Sequence, residues 1–297
     1  MIDHNSKEEL SSLYGQKGIG DSYISFRIDL LEIMLKYQEL IKPLQVVFPG
    51  KEIIHSHFEK GAPLIAFTPV SLSLEILSAC FREIIHIFQS HGVCAQDHCQ
   101  WFDTHADNRF INRVTKAITS FDMDTIQELS EPTPVDANTL ILISRELMKP
   151  VYHVLASQAG EVASFKNWTE GFCPVCGDMP SFARFSKSKE EEGKRYLWCA
   201  NCDLEWAFRR MCCPSCGNTD HKKLRFLTTN HREELRIDVC EECKGYIKTI
   251  DERKTGQEEI TNFLKENTAS LFLDITAGEK GYMIQFPGFQ HTKIKFS

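Results

Sequence analysis

Apolar positions in the first half of the chain recur every three or four residues, and in the stretch after Trp168 they alternate every two. The change of period predicts helices first and short strands afterwards. Phe26, Leu30, Ile33, Tyr37, Leu40 and Leu44 mark one face of a helix that Asp21 or Ser22 can cap and Pro43 ends. Leu74, Leu77, Phe81, Ile84, Ile85 and Phe88 predict a second helix stopping at Gly92. Helices follow over 108–120 and 123–129. A Pro-containing break, SEPTPVD, precedes Asp136, which caps a longer helix through Ala159 carrying Leu140, Ile143, Leu147, Val151, Val154 and Leu155. Pro150 inside that helix is placed to kink it. Residues 1–20 are polar, hold Gly15, Gly18 and Gly20, and read as a loose leader. The segment 61–69 reads as irregular, and His55 and His57 as loop residues without catalytic meaning.

Beyond Trp168 the runs SFARF (181–185), RYLWC (195–199), EWAFRR (205–210), LRFLTT (224–229) and ELRIDVC (234–240) alternate apolar with polar residues and predict strands. The charged stretches KSKEEEGK and TNHREE between them are expected as solvated hairpin tips. A short helix ending at Gly278 follows, and the residues after Met283 carry no assignable pattern.

Chemistry enters with four Cys-x-x-Cys pairs: Cys173/Cys176, Cys199/Cys202, Cys213/Cys216 and Cys240/Cys243. Between pairs lie 22 residues in the first set and 23 in the second, so one unit is written twice. A Cys-x-x-Cys turn aims two thiolates at one point, and two such turns make a closed tetrahedral cage of the kind zinc and iron accept. Pro174 and Pro214 preset the leading turns, and Gly177 and Gly217 permit the positive φ that ends them. Two metal sites are expected, with sequential ligand sets favoured over an interleaved cross-brace. Four disulfides are the competing reading. The start MIDHNSKEEL is polar, without an apolar export segment, and in a reducing compartment such spacing means metal. Cys212, out of register beside Cys213, reads as a spare thiol. His91, Cys94, His98, Cys99 and His105 also gather in sequence, but no knuckle glycine or fixed pair accompanies them, so they read as ordinary side chains.

Composition narrows the function. The 297 residues suffice for more than one domain, 42% are hydrophobic and 25% charged, and no apolar run is long enough to span a bilayer. The net charge of -7, with 14 Lys or Arg against 12 Asp or Glu between Cys173 and Ile250, argues against general nucleic-acid binding. No phosphate-binding glycine loop, HExxH or GxSxG motif is present, so a non-enzyme is expected. The fold class expected is α+β and multidomain: a helical domain (1–165), two tandem rubredoxin-like or zinc-ribbon modules (166–210 and 211–250) and a tail with a short helix (251–297).

The motifs WTEGFCPVCGDMP (168–180), RYLWCANCDLEW (195–206), CCPSCGNTD (212–220) and CEECKGYIK (240–248), with a looser SLFLDITAGEKGY (270–282), resemble the formate dehydrogenase accessory protein family (FdhE-type). The helical half matches mainly in character. The resemblance implies a helical domain followed by tandem rubredoxin-like modules. It further implies a bacterial cytoplasmic protein that binds iron and is needed for active formate dehydrogenase, acting on the catalytic subunit before export. Its expected role is a maturation chaperone binding that subunit, with an electron-transfer protein of rubredoxin type and a nucleic-acid-binding zinc ribbon as alternatives; a homodimer is left open. In one respect the chain departs from a rubredoxin: Asp203 and Lys244 stand where glycines would end the second knuckles. Fewer N–H to sulfur bonds are expected there, which keeps zinc beside iron as the metal. Tyr196, Trp198, Trp206 and Phe208 are either an apolar docking patch or the small core of the ribbons.

Overall fold

The computed structural model describes residues 2–43, 46–70, 73–228, 232–255 and 262–285. The first half is helical: α1 (Asn5–Ser11), α2 (Asp21–Ile41), α3 (Lys51–Glu59), α4 (Leu74–Ser90), α5 (Gln96–His105), α6 (Asn108–Ser120), α7 (Met123–Ser130) and α8 (Ala137–Ala159). Four of these begin where a short polar side chain can take an orphan N–H. Ser73, Asp107, Asp122 and Asp136 accept from the backbone of Ile76, Phe110, Thr125 and Thr139.

Helix α2 organises the packing because two of its faces are apolar. Leu30, Ile33, Tyr37 and Ile41 enter a core shared with α4, α6 and α8. Ile24, Ile28, Leu31, Met34 and Leu35 enter a second core made with α1 and the strands. A helix apolar on so much of its circumference has to be covered on several sides. Leu40, expected on the buried stripe, is instead exposed, and Leu44 lies outside the described residues.

Two readings of this half are corrected. Residues 2–20 are not a loose leader: α1 forms there, and Ile2, Leu10, Leu13 and Ile19 are buried in the second core. His55 and His57 lie on α3, not in a loop. Both helices are short, so each offers too few apolar positions to display a period.

The strands are β1 (Phe182–Phe185), β2 (Arg195–Trp198), β3 (Glu205–Phe208), β4 (Leu224–Thr228), β5 (Leu235–Cys240) and β6 (Tyr246–Asp251). They form one six-stranded sheet in the order β3-β2-β1-β6-β5-β4. Neighbours are antiparallel except at the centre, where β1 runs parallel to β6 with Phe182 opposite Lys248 and Phe185 opposite Asp251. The two hairpin units therefore lie side by side in the same sense, joined edge to edge. Strand β6, which the sequence pattern did not signal, makes that junction. Arg184 on β1 reinforces it through an ion pair to Glu252 just after β6 (3.0 Å), and on its other side reaches Glu205 on β3 (2.8 Å). Helices α9 (Phe263–Ala269), also unexpected, and α10 (Leu271–Glu279) close the second core over β5. The tip expected at TNHREE falls partly on residues 229–231, outside the described ones, as does most of the unassigned tail.

Candidate metal centres

Each Cys-x-x-Cys pair sits on the same backbone turn, repeated four times. The fifth residue of the turn returns its N–H to the first cysteine's carbonyl: Gly177 to Cys173, Asp203 to Cys199, Gly217 to Cys213 and Lys244 to Cys240, each at 2.9 Å. The first cysteine's own N–H donates onward to the carbonyl of Asp178, Leu204, Asn218 or Gly245 at 2.8–3.0 Å. That closing residue needs left-handed backbone, and Gly177 (φ 76°) and Gly217 (φ 71°) supply it. Asp203 (φ 59°) and Lys244 (φ 57°) adopt the same conformation without being glycine. The expected loss of sulfur contacts at the second knuckles is thus not general. Gly245 N–H donates to Cys243 Sγ at 3.3 Å, matching the 3.4 Å bond from Val175 N–H to Cys173 Sγ.

The turns bring the eight sulfurs together as two groups of four, Cys173, Cys176, Cys199 and Cys202, then Cys213, Cys216, Cys240 and Cys243, the sulfurs of each group within 4.8 Å of one another. The grouping is sequential. Sulfur separations of 3.3 and 3.4 Å in the first group and 3.7 Å in the second are far too long for disulfides. A metal with bonds of about 2.3 Å to four sulfurs sets them about 3.8 Å apart at the edges of a tetrahedron. The donor set, its spacing and the N–H groups aimed at it fit a four-thiolate ion, and the fourth position of each cage is filled by protein. Cys212 stays out of the second group: its thiol is buried and donates towards the Cys213 carbonyl at 3.7 Å.

In the absence of a metal each group favours one thiolate: burial, together with hydrogen bonding to the ionised cysteine, raises Cys176 and Cys202 in the first group and Cys216 in the second, and that hydrogen bond, together with burial, raises Cys243. A hydrogen bond from Cys243 brings Cys213 down to about 5, against the opposing effect of burial. Burial alone would raise Cys173, but hydrogen bonds from Cys176, Cys199 and Cys202 outweigh it and hold that thiol well below its usual range.

The surroundings of the two groups differ. The first is packed under the helical half. The backbone N–H groups of Leu64 and Ile65, in the irregular segment after α3, donate to the carbonyls of Pro174 and Val175 at 2.8 and 3.0 Å. Asp178, just past the knuckle, is buried and accepts from Arg145 on α8 and from Asn201 in the opposite knuckle. Asp203 accepts from Trp198 Nε1 (2.7 Å) and from the backbone N–H of Ile2 (2.6 Å), tying the start of the chain to the same module. The second group lies at the surface, with Cys216 and Cys243 only half-buried. Asn218 Nδ2, 3.7 Å from Cys240 Sγ, is its side-chain donor.

Of the two readings of the ribbon aromatics, core holds for Trp198, Trp206 and Phe208, which are buried, with Tyr196 alone partly exposed. The 91–105 residues are dispersed. His91 pairs with Asp29 at 2.7 Å, His105 stacks on Trp101, and Cys94 and Cys99 are buried among helices. The sequence reading missed Arg145 and Asn201, whose roles depend on partners distant along the chain. The aspartate following CPVCG was the available signal.

Comparison with known proteins places these modules. Residues 172–210 match the family model described as "FdhE, central domain" and residues 211–288 that described as "FdhE, C-terminal domain". A protein FdhE homolog of Aquifex aeolicus is 26% identical over 234 residues, 77% of this chain and 75% of that protein. Homologs from Pseudomonas aeruginosa (30% over 140 residues) and Haemophilus influenzae (35% over 111) match 45% and 37% of this chain and 43% and 35% of their own length. The crystal structure of the FdhE protein from Pseudomonas aeruginosa superposes with a TM-score of 0.60 at 20% identity, covering 95% of this chain and 93% of that one.

Proposed function

We propose, from the premise that this chain belongs to the FdhE family, that it is an accessory protein for the formation of active formate dehydrogenase, acting on the catalytic subunit in the cytoplasm before assembly or export. One observation carries the reading of its mode of action: both four-sulfur groups are closed by protein on every vertex. A metal so enclosed has no position for substrate, and its contribution is to fold and stiffen the ribbons around it. Cys173, Cys176, Cys199 and Cys202 would hold one ion and Cys213, Cys216, Cys240 and Cys243 the other, each iron or zinc. Function then lies in the surfaces that the ions hold in place, and the protein is a binding partner rather than an enzyme.

The same reading treats 1–165 as a helical domain, 166–210 and 211–250 as the two four-cysteine modules and 251–297 as a tail with a short helix. Among the described residues no helix is long and apolar enough to cross a membrane. Nucleic acid is disfavoured as a ligand by the acidic balance of the chain.

The test is metal content of protein isolated anaerobically, together with capture of partners from cells growing on formate. Two ions per chain and co-purification of a formate dehydrogenase catalytic subunit are expected; failure to recover any such subunit would sink the reading. The half-exposed second group favours one further role, electron transfer through an iron ion there. A red protein that dithionite bleaches and air restores would support it, and a colourless zinc-loaded protein that still restores enzyme formation would remove it.

A further inference from the structure

Beside the second four-cysteine group opens a cleft of about 250 Å³, bounded by the Cys213 knuckle and by β4, β5 and β6. Arg195, Arg210 and Arg236 line it against one carboxylate, Asp238, while Arg225 at its edge faces the other side of the sheet, opposite Val239. In a chain of net charge -7 this gathers the minority sign into one concave site, which focuses the field and draws anions.

Asp238 does not neutralise the set. It is shared among Arg195 (3.3 Å), Arg236 (2.8 Å) and the Thr249 hydroxyl (2.9 Å). Arg210 is exposed and is not held in an ion pair among the described residues; its guanidinium lies 5.3 Å from the centre of the Phe185 ring. Arg195 is only 3% exposed; it donates to the Cys212 carbonyl and to Asp238, while its Nε has no hydrogen-bond partner.

The same cleft has an apolar lip. Phe226 is 59% and Met211 55% exposed, with Phe185, Val239 and Ile247 deeper inside. Strand β4, which contributes Leu224 and Phe226 to the cleft, is the end strand of the sheet, so an extended chain can lie along it.

We propose that this cleft docks an acidic segment of a partner polypeptide, with carboxylates against Arg210 and Arg236 and an apolar side chain covering Phe226 and Met211. A phosphate-type anion would meet the guanidinium groups and leave the lip bare. Arginine with large apolar neighbours is also the composition that dominates protein interfaces. The inference rests on the accessory-protein reading, in which a partner chain is held.

The test uses the full metal-loaded chain and three probes: an acetylated hexapeptide alternating glutamate and leucine, its lysine and leucine counterpart, and inorganic phosphate. The glutamate peptide is expected to bind more weakly as salt rises, and to lose about tenfold or more in affinity in Arg210→Glu and in Phe226→Ser. The lysine peptide should not bind, and phosphate should not displace the glutamate peptide. Equal affinity in the variants, displacement by phosphate at equal concentration, or a dimer of this chain that the variants dissolve would each overturn the proposal. Metal content and circular dichroism confirm that each variant folds, with Arg210→Gln as the milder replacement where one does not.

Capture of the catalytic subunit separates the two claims. Wild type and variants capturing it equally would sink the cleft and keep the accessory reading. Peptide binding at the cleft without any captured subunit would do the reverse.

Discussion

Cys173, Cys176, Cys199 and Cys202 are at most 3% exposed beneath the helical half, whereas Cys216 and Cys243 stand half-buried at the surface. Both groups are built on the same fourfold turn, with the same carbonyl returns and the same left-handed closing residue. The difference therefore comes from neighbours, not from the metal-binding unit. Around the first group the helical half supplies hydrogen bonds, a buried ion pair and ring contacts, and around the second the neighbours are mostly solvent and a positively charged cleft. A duplicated unit keeps its backbone geometry while one copy lies in the core and the other at the surface.

Removing ligands should separate the copies most sharply. Cys173→Ser/Cys176→Ser is expected to unsettle the whole molecule, lowering Tm by more than about 10 °C or abolishing soluble protein, because binding energy at a structural site is folding energy. Cys213→Ser/Cys216→Ser should lose one metal and leave the helical half folded. Thermal unfolding by circular dichroism with metal analysis reads both, and equal losses in the two variants would break the comparison.

Next comes the buried charge. Arg145→Ala leaves Asp178 without its cation beside the first group and should cost about 3 kcal/mol in urea unfolding. Lys223→Ala, which removes an exposed ion pair with Glu242 near the second group, should change nothing measurable.

Alanine at the two equivalent glycines tests the surroundings directly. At Gly177 a Cβ would lie 2.5 Å from the Phe121 ring and 3.0 Å from Pro63, so overpacking adds to left-handed strain and a loss of about 2–3 kcal/mol is expected. At Gly217 a Cβ meets nothing within 4 Å, leaving only the strain of about 1 kcal/mol. The smallest pair is glycine at the other two closing positions. Asp203→Gly relieves strain but forfeits the bonds to Trp198 and Ile2, for a net loss of about 1 kcal/mol. Lys244→Gly should be neutral or slightly stabilising. Denaturation midpoints for all four variants give the ordering.

The cysteine groups were fully legible in the sequence because each ligand pair is local and the two pairs of a group are only a hairpin apart. So were the long helices, whose apolar positions repeat over several turns. Other elements were hidden for definable reasons. Helices α1, α3 and α9 show only one or two apolar residues each on the buried side, too few to reveal a period. Strand β6 carries Lys248, Thr249 and Asp251, which read as surface residues. All three are buried: Lys248 is held by Asp274 (2.7 Å) and the Asn267 carbonyl (2.8 Å), contacts that exist only once the tail has folded over the sheet, and Thr249 donates to Asp238 on the neighbouring strand β5. Arg145 and Asp178 lie 33 residues apart and announce themselves only in three dimensions.

The central pairing of β1 with β6 also bears on how the chain matures. Parallel neighbours cannot close through a tight turn, and these two are separated by strands β2 to β5, so the loop to be closed is long and its formation slow. During synthesis β1 must wait with one flank bare until β6 has left the ribosome, and β5 waits likewise. A nascent or truncated chain ending before Tyr246 presents two sticky strand borders at once, the form most prone to self-association.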